Sequence, residues 1–281
     1  MNDTPRNPRI TVERAATLAL LVGTAALFLV PLLWMISSSL KSEYQIFAVP
    51  PQLLPRPPRW ANYPEALTFV PFGRYTINTL IISASTIIGH LLSCTVVAYA
   101  FARLRAPGRD TLFVVVLATM LLPYPVTMVP LYVLFRTLGW VGTILPLTVP
   151  AFFGSPFYIF LLRQFFLSVP PELEDAARID GAGTVRIIWH VILPLSLPAL
   201  ATVALFTFQA TWNDFLPPLI YLQNPQSYTV ALGLQFFRTT YTTNWAYLMA
   251  ASLVTMLPVI VTFLLAQRLF IEGISLTGLK G

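Results

Sequence analysis

The chain has 281 residues, of which 56% are hydrophobic and only 10% charged, against roughly 25% charged in soluble globular proteins. That composition excludes a soluble fold, and the net charge of +6 needs no nucleic acid, since basic residues facing anionic headgroups account for it. One cysteine, Cys94, gives no intrachain disulfide framework, and His90 and His190 lack metal-ligand spacing, so no metal site is expected.

The few charges lie at the ends of six charge-free intervals, 15–40, 75–102, 111–135, 137–162, 187–213 and 239–267. Each exceeds the roughly 20 residues a helix needs to cross a bilayer while bonding its own backbone. The expected fold is an all-α membrane protein with six transmembrane helices. Placing Met1 inside puts eleven of the seventeen Lys and Arg on inner segments, so the positive-inside bias predicts both termini inside. Residues 1–14 are then a cytoplasmic N-terminus. Arg6, Arg9 and Arg14 precede an apolar run too long for a signal peptide and without a small-residue cleavage site, so the first helix is expected to stay.

The outer loop 41–74 holds seven prolines with Phe47, Trp60, Tyr63 and Phe72, which predicts an extended segment poor in helix. It reads equally as a rigid spacer or as a docking surface for an external partner. Pro123 and Pro125, Pro146 and Pro150, Pro194 and Pro198, and Pro258 lie in or near the later spans and predict kinks, either static or hinge-like.

The inner loop, about 168–190, is the informative one. Pro170 and Pro171 suit a helix start, Glu172, Glu174 and Asp175 suit its positive end, Gly181 and Gly183 offer a turn, and Thr184 a cap for a second short helix. Ala176 and Ala177 leave a flat face for a close helix contact, or serve only as good helix formers. Gly181, if at positive φ, would not tolerate a bulky substitute. The fifth interval ends in Gln209, Trp212, Asn213 and Asp214, an aromatic face with planar polar groups that suits a sugar and equally an interface anchor. Residues 215–247 are read as an outer loop and 268–281 as a cytoplasmic tail.

The run from Asp175 to Pro194 resembles the EAA loop of ABC importer membrane subunits. Asp175-Ala176-Ala177 is followed after three residues by Gly181 and after nine more by Val191-Ile192-Leu193-Pro194. Asp175 stands where the family has Glu, with Glu174 beside it as a substitute, and Val191 where it has Ile. Tyr99 to Leu104, Ile179-Asp180-Gly181-Ala182, Trp212-Asn213-Asp214-Phe215 and the end Gly278-Leu279-Lys280-Gly281 are similar to the smaller six-helix permease of maltose-type systems, over about residues 15–281.

The resemblance implies a type I ABC importer permease fold in a bacterial or archaeal inner membrane, pairing with a second permease, two cytoplasmic ATPase subunits and an external solute-binding protein. It assigns ATPase coupling to Glu174, Asp175, Ala176, Ala177, Arg178, Asp180, Gly181 and Arg186, and makes Gln209, Trp212, Asn213 and Asp214 substrate-path candidates. It also points the outer loop 215–247, with Asn224, Gln226, Tyr228, Gln235, Arg238, Tyr241 and Trp245, toward the binding protein. The implied cargo is a sugar or oligosaccharide, the alternatives being a polyol or glycerol-phosphate-type solute.

Catalysis and cofactors are expected elsewhere. Gly273 to Lys280 fails the phosphate-binding loop pattern because Leu279 precedes the lysine, so ATP and Mg belong to the partner ATPase and this chain is not an enzyme. A stand-alone transporter would need midplane ionisable groups, for which only His90 qualifies.

Overall fold

The computed structural model describes residues 8–238 and 243–277, with side chains for 14–238 and 243–267. The expectations for Arg6, Tyr241 and Gly278 to Gly281 fall outside the described residues, as do those for the side chains of Arg9 and of the tail from 268.

The described chain is helical, apart from an isolated bridge between Arg238 and Thr243. In order come α1 (Pro8–Ser39), α2 (Glu43–Ile46), α3 (Asn62–Phe69), α4 (Phe72–Arg103), α5 (Arg109–Ala118), α6 (Tyr124–Thr137), α7 (Leu145–Thr148) and α8 (Pro156–Ser168). Then follow α9 (Glu172–Ile179), α10 (Thr184–Ile187), α11 (Leu193–Leu195), α12 (Leu197–Trp212), α13 (Leu216–Tyr221), α14 (Val230–Gly233) and α15 (Trp245–Thr277).

Four stretches are long and apolar enough to cross a bilayer unbroken: Arg14–Ser39, Phe72–Arg103, Leu145–Ser168 and Trp245–Gln267. The other two expected spans are bent pairs, Arg109–Leu121 with Tyr124–Thr137 at 97° and Thr184–Leu195 with Leu197–Trp212 at 80°. The first bend has a local cause. Leu122, the residue before Pro123, is pushed to extended backbone at ψ 109, and Pro123 follows at ψ 142. The second falls at Ser196, after a π-helical stretch Ile188–Ile192 and between Pro194 and Pro198, which supply no N–H to the ladder. Pro258, in contrast, sits inside a continuous α15.

Two expectations change in position. The fourth span begins at Leu145 rather than near 137, because Gly139 and Gly142 adopt positive φ and turn the chain first. Arg163 therefore lies within the span, over the Phe113 ring at 4.2 Å, with its Nε donating to Phe101 O at 3.2 Å. The outer loop 41–74 is also less extended than its prolines suggest. Ser42 and Gln45 form a capping box that starts α2, and α3 occupies the end of the loop. Likewise 215–237 is not a plain loop, since it contains α13 and α14.

The chain divides into two units. The first comprises Met1–Val70 and Phe236–Thr255. Its described polar contacts centre on buried Asn62, whose Nδ2 donates to Ser39 O (2.8 Å) and Lys41 O (2.9 Å). Glu65 ties this loop to α15 by accepting from Tyr247 (2.6 Å) and pairing with Arg59 (2.8 Å), which hold its carboxyl below the usual carboxylate range. Lys41 is buried with its ammonium over Trp34 at 4.4 Å, and that burial lowers its pKa.

The second unit, Pro71–Gln235 with Met256–Gly281, is organised around α4. One core joins Cys94, Ala98 and Tyr99 of α4 to Leu162 and Phe166 of α8, Ile187 at the end of α10, Ile192 just before α11, and Val203 of α12. A polar stripe on α4 knits these helices. Ser83 accepts from Thr211 at 2.9 Å, His90 Nδ1 lies 3.2 Å from Thr207 Oγ1, and Ser93 donates to Ala151 O at 2.8 Å. Such contacts substitute for a hydrophobic drive between helices that lipid does not supply. Gly89 permits the close approach, since a Cβ there would lie 2.9 Å from Phe152 Cδ2.

Candidate functional site

The inner loop folds as two short helices joined by a glycine turn. The helix α9 begins two residues later than the prolines suggested, at Glu172 with Pro171 as its cap residue, and Glu172, Glu174 and Asp175 fall in its first turn, where they favour the positive end of the peptide dipoles. Its end is a Schellman turn. Ala182 N donates to Ala177 O (2.9 Å) and Gly181 N to Arg178 O (3.0 Å), while Gly181 takes φ +80. The three-residue gap between Ala177 and Gly181 is therefore the spacing this cap requires. The second helix is capped by Gly183, not Thr184, which is its first residue and makes no side-chain cap.

The two faces of α9 differ. Leu173, Ala176 and Ile179, three apart and hence on one face, are exposed, Ile179 to 87%, with Val185 and Trp189 exposed just beyond. Asp175, Asp180, Gly181 and Arg186 are exposed as well. Arg178 is half-exposed and pairs with Asp175 at 3.3 Å. Ala177 turns the other way and packs on the core.

Glu174 does not belong to the outward face. It is 2% exposed, its Oε1 lies 2.7 Å from Arg103 Nε, and Tyr99 donates its hydroxyl to Oε2 at 2.9 Å. Arg103 in turn donates to Phe166 O (2.8 Å) and to Val169 O. The expectation that Glu174 substitutes for the family glutamate is corrected by this burial. A carboxylate enclosed by an arginine and a tyrosine of its own chain braces the helix, and Asp175 is left as the outward acid. Sequence reasoning gave Tyr99 and Arg103 no role. Both lie in the run Tyr99 to Leu104, which carries part of the family resemblance, and stand as polar groups at the end of a long apolar run.

At the other end of α12, the four substrate-path candidates separate. Trp212 is 4% exposed and stacks on Phe208 at 5.3 Å, so its ring is a core element here. Gln209 and Asp214 are half-buried and Asn213 is exposed, its Nδ2 donating to Gln209 O at 2.8 Å. Burial pushes the Asp214 carboxyl up to about 6, partly offset by the backbone N–H of Phe215. Asp214 and Tyr221 are electrostatic neighbours of Tyr124, which opens α6 just past the first bend. Tyr221 stacks on Tyr132 at 6.3 Å and meets Phe135 edge-on at 5.3 Å. The aromatic and acidic surroundings thus converge on Asp214 rather than on Trp212.

Four unbroken apolar spans, two bent pairs and a short amphipathic helix held outward define a multi-pass membrane protein. The fold is that of an ABC importer membrane subunit: a bacterial ABC transporter involved in import of the acidic polysaccharide alginate superposes with a TM-score of 0.81, 24% identity, and coverage of 94% of this chain and 99% of that one. The chain belongs to the family of binding-protein-dependent transport system inner membrane components, whose model matches residues 94–275. Its relatives include the diacetylchitobiose uptake system permease protein NgcG of Streptomyces coelicolor, 34% identical over 92% of this chain and 86% of that protein. Another is the sn-glycerol-3-phosphate transport system permease protein UgpE of Yersinia pestis, 32% identical over 91% and 93% respectively.

Proposed function

We propose that this chain is one of two permease subunits of an ATP-driven importer for a sugar or oligosaccharide, residing in the cytoplasmic membrane of a bacterium or archaeon with both termini inside. The observation that carries the coupling role is the Schellman-locked α9, which holds Leu173, Ala176 and Ile179 outward. A small, apolar, rigid face of this kind suits insertion into a groove on another protein. Two cytoplasmic ATPase subunits, which bind ATP and Mg, are the proposed partners, one for each permease. The positive-inside bias supports a cytoplasmic α9.

In this reading, closure of the ATPase pair draws the two coupling helices together. The spans bent at Pro123 and Ser196 then reorient so that the path opens outward to a solute-binding protein at the loops 41–74 and 215–247. Hydrolysis resets it. Asp214, Gln209 and Asn213 border the path, and the second permease completes it.

A saccharide is favoured because one close relative serves diacetylchitobiose and the structural counterpart takes part in alginate import. The glycerol-phosphate relative keeps a second reading open. His90, set between Thr207 and the Tyr158 ring at 4.9 Å, is used in helix packing, which weighs against a stand-alone ion-coupled carrier. The test is uptake by proteoliposomes holding this chain and its co-purified partners, with labelled oligosaccharides and glycerol 3-phosphate compared with ATP inside or absent. ATP-dependent saccharide uptake supports the proposal, glycerol phosphate uptake alone selects the second reading, and uptake by this chain alone without ATP contradicts both.

A further inference from the structure

The helix α4 is held at both ends, by different partners. At its last turn Arg103 and Tyr99 enclose Glu174 of the coupling helix, at 2.7 and 2.9 Å. At its first turns, Arg74 Nε donates to Gln226 O (3.0 Å), and Asn78 Nδ2 donates to Gln226 O (2.9 Å) and Tyr228 O (3.0 Å). Thr79 Oγ1 accepts from Val230 N at 3.0 Å. Those acceptors lie in the loop between α13 and α14, where the Gln226 side chain is exposed.

Between the two attachments runs an unbroken helix of 32 residues, about 48 Å long at 1.5 Å per residue. It contains no proline, whereas each of the other five spans contains at least one. A helix without a break transmits displacement along its axis, and a buried ion pair resists sliding of α9 against α4 because separating the charges leaves each without compensation.

We propose that α4 is a lever joining the ATPase-coupling helix to the outer loop 224–230, with Arg74, Asn78, Tyr99, Arg103 and Glu174 as positioning residues. Through them, docking of a solute-binding protein at that loop sets the activity of the ATPase on the opposite side. The inference rests on the importer function proposed above and adds the route by which its two sides communicate.

The test uses the complete transporter in nanodiscs, with ATP hydrolysis measured with and without the solute-loaded binding protein. One variant, Arg74→Ala with Asn78→Ala, releases the outer end, where Arg74 is exposed and Asn78 only half-buried, so no core is disturbed. The other, Glu174→Gln, weakens the inner end. Each is expected to lower the stimulation ratio roughly fivefold or more, the scale of an allosteric coupling. The ATPase co-purifies in wild-type amount and the binding protein keeps its affinity, which separates a lost relay from lost assembly. Links in series are non-additive, so the combined variant falls no further than the worse of the two. Wild-type stimulation in the outer-end variant, or effects that multiply, would overturn the lever. An unmutated transporter that neither imports solute nor responds to the binding protein would instead sink the importer reading on which the lever depends.

Discussion

Arg103 Nε lies 2.7 Å from Glu174 Oε1, joining the last turn of α4 to α9, the helix proposed to couple to an ATPase. Both side chains are largely buried, so the pair's value is asymmetric. Removing one partner strands a buried charge, at roughly 3–5 kcal/mol, whereas replacing both with apolar groups is often neutral. Glu174→Ala is therefore expected to lower the thermal midpoint of the purified chain markedly, and Arg103→Met with Glu174→Met to recover most of it. A thermal-shift measurement on the two variants in one detergent checks this, and equal losses in both would contradict the pairing.

Gly181 takes φ +80, and no atom beyond its immediate chain neighbours lies within 4 Å of where its Cβ would be. The strain of a substitution there comes from the backbone alone, about 1–2 kcal/mol for an ordinary L-residue in this region. Gly181→Asn is expected to keep most ATP-dependent uptake, because asparagine visits left-handed backbone readily, while Gly181→Val loses it. Similar uptake in the two variants would show that the Schellman turn does not set the coupling face.

Asp214, held near 6 by burial, gives a pH dependence of defined sign. The folded state binds the proton more tightly than the unfolded chain, where the carboxyl ionises near 4. Stability is therefore highest below pH 4 as far as this group is concerned, and is lost as pH rises from about 4 to about 6. Asp214→Asn should flatten that portion of the melting-temperature profile. An unchanged slope between pH 4 and 7 would show the carboxyl to be better solvated than its surroundings indicate.

Trp212 packs inside the fold against Phe208. Trp212→Ala is expected to destabilise by about 3–5 kcal/mol through the cavity it leaves. Trp212→Phe should leave the KM for solute uptake near wild type, and Asp214→Ala should raise it. A large KM rise in Trp212→Phe at unchanged stability would return the stacking role to the tryptophan.

The six spans were legible because charge is so costly in lipid that the Lys, Arg, Asp and Glu of this chain mark span ends almost by themselves. Arg163 misled the count of the fourth span, since its aliphatic stem and the Phe113 ring allow it to lie inside. The turn after α9 was legible too, because a glycine at that offset has few other uses. The inward side of Glu174 was not, because Glu174 and Asp175 are adjacent acids and only the packing of α4 and α8 decides which of them faces the core. The 97° bend was anticipated as a kink at Pro123, but its size depends on Leu122 leaving helical backbone, which composition does not register. The residues of α4 that hold the outer loop, Arg74 and Asn78, act on backbone carbonyls about 150 positions away, and no local pattern announces such a contact.

Coupling in the proposed importer requires α9 to dock this permease onto an ATPase. Its most direct test is affinity purification of the chain from its native membrane in mild detergent, wild type beside Gly181→Trp. The wild type is expected to bring an ATPase, a second permease and a solute-binding protein, and the variant to retain the second permease and lose the ATPase. An ATPase recovered equally with both, or a wild-type chain that purifies alone and moves solute without ATP, would contradict it.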